Sequence, residues 1–123
     1  MIVFLIIDVS SSKDAPTYTN GHEYERFVAW YLGKNGYKSI EITKKTGDFG
    51  ADIICLDSTG KKRIAVQCKM YAKPVGYKAV EEALGAMHYY NCDEAMVVTN
   101  NDYTKQAETA ARRTGVKLMS RVK

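Results

Sequence analysis

Apolar residues recur at helical spacing in three stretches of the chain, residues 20–36, about 78–90 and 104–114. Side chains three or four positions apart lie on the same side of a helix, so each stretch is predicted to bury one face. Thr19 or Asn20 can cap the first helix, and Gly36 and Gly115 are suited to end the first and the third. The residues predicted to face inward are Tyr24, Phe27, Val28, Tyr31 and Leu32 in the first helix, Val80, Ala83, Leu84 and Met87 in the second, and Ala107, Ala110 and Ala111 in the third.

Shorter stretches between these helices alternate polar and apolar residues or consist of β-branched runs, which is typical of strands. They are residues 39–43, 51–56, 63–69, 94–99 and 116–119. The sequence Asp57-Ser58-Thr59-Gly60 between the second and third of them is typical of a hairpin connection. The element order is therefore α-β-β-β-α-β-α-β, which predicts an α/β fold with a mixed central sheet flanked by helices.

The first seven residues form an apolar run, and a stretch rich in serine that ends in proline follows it as a plausible linker. The run is too short to cross a bilayer and lacks the charged start and cleavage site of a signal peptide, so no membrane association is expected. An added strand, the stub of a lost membrane helix and a dimer contact all remain open, and the strand is preferred. We expect residues 1–18 to be an N-terminal strand and linker, and residues 19–123 to be the folded domain.

Charge and cysteine usage narrow the partners and the compartment only slightly. The net charge of +4 is compatible with a polyanion such as DNA but does not require one. The three cysteines are far apart in sequence and form no C-x-x-C pair. They predict reduced thiols and a cytoplasmic location.

The central hairpin carries polar residues that do not suit a buried scaffold. In the strand of residues 63–69, alternation places Ala65, Gln67 and Lys69 on the face opposite to Ile64, Val66 and Cys68. Asp52 stands at the start of the preceding, otherwise apolar strand. Because the hairpin turn brings the end of one strand back beside the start of the other, Asp52, Gln67 and Lys69 are predicted to converge.

A carboxylate, an amide oxygen and an ammonium together can support the hydrolysis of a phosphodiester. Oxygen donors bind a hard divalent cation such as Mg²⁺, for which Mn²⁺ is expected to substitute, and the cation polarises the phosphate and activates water. The lysine can orient that water, take its proton if the lysine pKa is depressed, or stabilise the added negative charge. Taken alone, the same residues also fit a cross-strand Lys–Asp pair with a glutamine on a solvated face.

Several linked motifs resemble the Mrr-type catalytic domain of the PD-(D/E)-x-K, or restriction-endonuclease-like, nuclease superfamily. They occur in order from Gly21 to about Met119. The motifs are GHEYERFVA at 21–29, GY at 36–37, TGDFGADII at 46–54, VQCKMY at 66–71, AMVVTN at 95–100 and YTKQA at 103–107. The resemblance implies a metal-dependent DNA endonuclease with a restriction-endonuclease-like core over residues 19–123.

The resemblance also implies roles for single residues. Asp52 matches the metal-binding aspartate, Gln67 the third-motif position and Lys69 the catalytic lysine. Glu25 fits the G-x-x-(F/Y)-E pattern of a helix glutamate that completes the metal site, although helical geometry does not separate it from Glu23. With the neutral Gln67 in place of an acid, metal binding is expected to be weak until DNA phosphates contribute.

Asp48 lies in the turn before the strand of Asp52. It can either hydrogen-bond to the metal ligands and support them, or simply form the turn. For DNA backbone contact, Lys73 is the preferred residue because it follows the strand of Lys69, and Tyr71 either packs beside the site or belongs to the core. The other basic candidates are Lys44, Lys45, Lys61, Lys62 and Arg63.

Three functions fit the residues and the resemblance: a restriction or defence nuclease module, a Holliday-junction-resolvase-like nuclease, and a non-catalytic DNA-binding or assembly subunit of the same fold. The complete set of Asp52, Gln67, Lys69 and Glu25 favours a nuclease, and the Q-x-K signature favours the Mrr type. Since one such site cuts one strand, we expect a homodimer. The chain leaves little room for a sequence-reading domain, so a separate targeting subunit is a further expected partner.

Overall fold

The computed structural model describes the backbone of residues 3–6, 13–44 and 51–123, and the side chains of residues 13–43 and 51–123. It contains three helices and six strands within these ranges. In chain order they are β1 (Val3–Ile6), α1 (Gly21–Lys34), β2 (Lys38–Lys44), β3 (Ile53–Leu56), β4 (Arg63–Lys69), α2 (Tyr77–Tyr89), β5 (Glu94–Thr99), α3 (Lys105–Thr114) and β6 (Lys117–Met119).

The strands form one mixed sheet in the order β1-β2-β3-β4-β5-β6. The first four are antiparallel neighbours. α1 lies between β1 and β2 in the chain, whereas short connections join β2 to β3 and β3 to β4. β4, β5 and β6 are parallel, and α2 and α3 supply the crossover connections that parallel pairing requires. The predicted α-β-β-β-α-β-α-β order is confirmed, and so is the added strand in front, which pairs with β2 at the edge of the sheet. No helix among the described residues is long and apolar enough to cross a membrane.

The helices begin and end where their capping residues stand. The Asn20 side chain accepts a hydrogen bond from the backbone N–H of Glu23, at 2.8 Å, and so caps α1. The Thr104 hydroxyl caps α3 by accepting from the N–H of Ala107, at 3.1 Å. Gly115 ends α3 with φ of 82°, a left-handed conformation that glycine adopts at little cost.

The sheet is packed between α1 on one face and the pair α2 and α3 on the other. Val66 and Ile64 of β4 join the apolar cluster under α1, whereas Ala65 packs toward α2, as the alternation predicted. The predicted inner face of α2 is confirmed, and two further alanines belong to it. Ala79 and Ala86 are buried with Val80 and Ala83, whereas Leu84 and Met87 are only half-buried. The small side chains face the sheet because α2 packs on β4 and β5 and against α3 at once.

A buried hydroxyl ties the C-terminal segment to α1. Tyr24 is fully buried, and its hydroxyl donates to the backbone carbonyl of Val122 at 2.6 Å. Burial raises the pKa of this hydroxyl above its ordinary value, so it remains a donor throughout the neutral range. Residues 98 positions apart are thereby joined across the core.

Candidate active site

Asp52 is held in the core by the backbones of both neighbouring strands. Its N–H donates to the carbonyl of Val66 at 2.9 Å, and its carbonyl accepts from the N–H of Thr43 at 3.0 Å. Its carboxylate Oδ2 accepts from the N–H of Cys68 at 2.7 Å. The side chain is only 1% exposed. A carboxylate is buried at such a position only where fixed donors compensate for its lost water.

Gln67 lies between the two residues whose backbones bind Asp52. It is 5% exposed, and its Oε1 is buried without a hydrogen-bond partner among the described residues. A buried acceptor left without a donor costs free energy, on the order of 1–3 kcal/mol. The alternative in which this glutamine lies on a solvated face is therefore wrong, and its oxygen is suited to a ligand.

The residues of this centre fit a hard divalent cation. The carboxylate of Asp52 and the amide oxygen of Gln67 are oxygen donors, the type that Mg²⁺ and Mn²⁺ prefer, and Mg²⁺ needs few protein ligands because it keeps its waters. Over residues 13–43 and 51–123, no three His, Cys, Asp or Glu side chains gather as a metal cluster. Asp48, which was predicted either to support the ligands or to form the turn, lies outside the described residues.

Lys69 extends from the end of β4 toward α2. Its Nζ forms an ion pair with Oε1 of Glu82 at 3.0 Å and lies 5.8 Å from the centre of the Tyr71 ring. Burial alone would lower the pKa of Lys69, but the hydrogen bond and charge of Glu82, with contributions from Tyr71 and Asp52, leave it above its ordinary value. Lys69 is therefore an ammonium at neutral pH, which favours charge stabilisation over proton abstraction among its three possible roles.

Glu82 is the residue of this centre that the sequence reasoning missed. It is separated from Ala79 by three positions and from Ala86 by four, so it stands in line with the small residues that α2 buries. A carboxylate in line with buried small residues indicates that its side chain meets a partner on the neighbouring element. Which partner it meets depends on how α2 lies across β4.

The two glutamates of α1 have different partners. Glu23 accepts from both the N–H and the hydroxyl of Thr19, at 2.8 and 2.7 Å, and these bonds hold its pKa below the ordinary value. It thus ties Thr19, the residue before the cap Asn20, to the first turn of α1. The Glu25 side chain is only 16% exposed, and its Oε1 is 3.8 Å from Nδ1 of His22. Glu23 has a local structural role, which leaves Glu25 as the better candidate ligand on this helix.

The loop after β4 is fixed by the end of β5. The Thr99 hydroxyl donates to the carbonyl of Lys69 at 2.7 Å, and Asn100 Oδ1 accepts from the N–H of Tyr71 at 2.8 Å. Asn101 Nδ2 donates to the Tyr71 carbonyl at 3.2 Å. Tyr71 is 43% exposed, so its alternative assignment to the core is wrong. Its ring is accessible beside Lys69.

The predicted DNA-contacting lysines are described only in part. Lys73 is exposed and lies between β4 and α2. Lys44 ends β2, but its side chain lies outside the described residues, as does Lys45 as a whole. Of the predicted site residues, Asp52 is bonded to the backbone of Val66 and Cys68, the residues on either side of Gln67, and Cys68 precedes Lys69.

Comparison with known proteins identifies the fold and the family. The family model Mrr_cat, described as restriction endonuclease, matches residues 18–123. No curated protein sequence matches the chain. A crystal structure of a protein of unknown function is similar with a TM-score of 0.63 at 18% identity, covering 82% of this chain and 58% of that one. A repair endonuclease from Pyrococcus abyssi is similar with a TM-score of 0.57 at 15% identity, covering 86% of this chain and 49% of that one.

The solved structures and the family model support different conclusions. At such low identities the two solved structures show the fold alone, and the chain spans about half to three-fifths of their lengths. The family model, in contrast, covers most of the chain. The chain therefore belongs to the Mrr_cat restriction endonuclease family, and the predicted restriction-endonuclease-like fold is confirmed.

Proposed function

We propose that this member of the Mrr_cat family is a Mg²⁺-dependent endodeoxyribonuclease that hydrolyses DNA phosphodiester bonds, and that Mn²⁺ substitutes for Mg²⁺. The observation that carries the proposal is the buried Oε1 of Gln67, which has no hydrogen-bond partner among the described residues and adjoins the buried Asp52. The ammonium of Lys69 projects from the same face of the same strand. Oxygen donors and a cation at one strand end suit the chemistry of a phosphodiester better than a structural role.

In this proposal Asp52 and Gln67 hold the cation, and Glu25 of α1 completes its protein ligands. A bound divalent cation would polarise the phosphate and favour ionisation of the attacking water. The backbone hydrogen bonds of Asp52 fix its carboxylate before any ligand arrives. With a neutral amide as one ligand, the affinity for the cation is low until phosphate oxygens add their charge.

Lys69 stabilises the negative charge that builds up on the phosphate during attack. Its side chain is 15% exposed, so that water screens its charge only in part. Tyr71 and Lys73 follow it on the same loop and are exposed, which suits contact with the DNA backbone beside the cut. Lys44 and Lys45 are proposed as further backbone contacts.

We place the protein in the cytoplasm, acting as a homodimer that cuts both strands, with targeting supplied by a separate subunit. Residues 1–18 serve as the N-terminal strand and linker of the nuclease domain in this view.

Cleavage assays test the proposed centre directly. Supercoiled plasmid, linear, methylated and four-way-junction DNA should be incubated with the protein and Mg²⁺ or Mn²⁺, and with EDTA. Asp52→Asn and Lys69→Ala should each abolish cutting, whereas Lys105→Ala on the exposed side of α3 should cut normally. Circular dichroism checks that each variant is folded. If folded Asp52→Asn protein cuts as fast as the wild type, the proposed centre is wrong.

A further inference from the structure

The ion pair between Lys69 and Glu82 joins the proposed catalytic strand to α2. The two charged atoms are 3.0 Å apart, with 15% of the lysine side chain and 40% of the glutamate side chain exposed. α2 packs directly on β4, so the position of Glu82 is set by the core of the molecule. Glu82 itself stands at the rim of the site, where solvent reaches it.

A lysine side chain needs such a partner if its ammonium is to stay in one place. Its four-carbon stem rotates freely, and each rotation moves the charge. The ring of Tyr71 lies 5.8 Å away and covers the ammonium on one side, but it supplies no charged acceptor. The carboxylate of Glu82 is an acceptor within hydrogen-bond distance of Nζ.

Glu82 also affects what Asp52 can bind. The carboxylate of Asp52 accepts from the N–H of Cys68, the residue before Lys69, at 2.7 Å, so the ammonium and a divalent cation are both attracted to the same carboxylate. A second carboxylate on α2 gives the ammonium an anchor of its own. Asp52 is then left for the cation.

We propose that Glu82 is a positioning residue of the nuclease site: it anchors the Lys69 ammonium from α2 and keeps it from occupying the cation position at Asp52. This inference rests on the proposed function. Glu82 touches neither the DNA nor the cation in this account, and acts through Lys69. Its removal should therefore lower turnover and weaken cation binding, and leave DNA affinity unchanged.

The variant Glu82→Gln tests the proposal, with Glu81→Gln as its matched control. Glu81 is the exposed neighbour on α2 and lines the same shallow groove, so its replacement removes an equal charge from the same surface. Because misplacing a catalytic group by about 1 Å can cost up to ~100-fold, Glu82→Gln should lower kcat by about tenfold or more. KM for DNA should stay within about twofold, since the lost interaction serves the chemical step.

Cation binding supplies a second readout. Titration calorimetry with Mn²⁺ and no DNA should show weaker binding to Glu82→Gln than to Glu81→Gln or the wild type. Glu82→Asp keeps the charge on a shorter side chain and should recover part of the lost turnover. Thermal unfolding should differ little between the two glutamine variants, because half-exposed ion pairs contribute little to stability.

Side-chain ¹⁵N NMR of the Lys69 ammonium separates this inference from the proposed function. The signal should broaden or move in Glu82→Gln and stay in place in Glu81→Gln. Absence of cleavage by the wild type would remove the proposed function but leave the Lys69–Glu82 anchor testable by this signal. The positioning role is refuted if Glu82→Gln keeps the wild-type kcat, if its loss lies entirely in KM, or if the ammonium signal does not change.

Discussion

Replacing Gln67 by glutamate tests whether the buried amide oxygen stands in a cation site. The change is nearly isosteric, but it places a second acid beside the buried Asp52 at a position that is 5% exposed. Without a cation, burial and the neighbouring negative charge both raise the pKa of the new carboxyl group. With a cation bound, the same charge becomes favourable.

The size of the effect is limited by proton uptake. At pH 7 the loss in free energy of unfolding cannot exceed about 4 kcal/mol, because the new carboxyl group can bind a proton on folding and remain neutral in the core. From an ordinary pKa of about 4.3, binding that proton costs about 1.4 kcal/mol for each pH unit up to pH 7. In a domain of this length that corresponds to a fall in Tm of roughly 15 °C. The carboxyl group introduced by Gln67→Glu has a higher pKa in the folded state than in the unfolded state. The loss in free energy of unfolding therefore vanishes below about pH 4 and grows as the pH rises. It reaches only about 1 kcal/mol at pH 5.

Thermal unfolding with and without Mg²⁺ measures this prediction, with Gln106→Glu on the exposed face of α3 as the matched control. Gln67→Glu should unfold well below the wild type at pH 7 without metal, and Mg²⁺ should raise its Tm more than that of the wild type. Gln106→Glu should show neither effect. A Tm loss in Gln67→Glu that is the same at pH 5 and pH 7, together with no extra gain from Mg²⁺, would refute the cation site.

Three further predictions concern other parts of the molecule. Glu25→Gln should weaken cleavage by orders of magnitude in single-turnover assays and Glu23→Gln should leave it nearly intact, and the reverse ranking would exchange their roles. Tyr24→Phe should lower the free energy of unfolding by about 1–3 kcal/mol, because a buried carbonyl loses its donor; identical urea midpoints would contradict this. The protein should sediment as a dimer that loses affinity when residues 1–10 are removed, because β1 is an edge strand that can pair with a second copy; a monomer at high micromolar concentration would exclude it.

The sequence predicted the elements well because local physics determines them. The cap at Asn20 and the left-handed Gly115 fix helix ends through bonds within a few residues. The alternation along β4 placed Val66 and Gln67 on opposite faces of the sheet, because one face of that strand meets α1 and the other meets α2. Such patterns need no knowledge of distant parts of the chain.

Other features could not be read from sequence because they depend on packing between elements. Periodicity placed Leu84 and Met87 toward the core, and both pack half-buried against it. It did not show that Ala79 and Ala86 are buried more deeply, because that depends on α2 meeting the sheet and α3 together. Glu23 and Glu25 are equivalent by helical position alone. The hydrogen bonds of Thr19 distinguish them, and those depend on the path of the chain before α1.

The position of the site follows from a change in strand direction at β4. On one side β4 pairs antiparallel with β3, and that register places Asp52 against the backbone on either side of Gln67. On the other side it pairs parallel with β5, so the chain must leave the end of β4 and return through a helix that runs back across the sheet. The early turns of that helix then pass over the strand end, which brings Glu82 onto Lys69. The same parallel pairing aligns the end of β5 with the end of β4, so that Thr99 holds the Lys69 carbonyl. A purely antiparallel sheet would supply the backbone contacts of Asp52, but neither the contact of Lys69 with Glu82 nor that with Thr99. The polar residues therefore gather where antiparallel and parallel pairing meet.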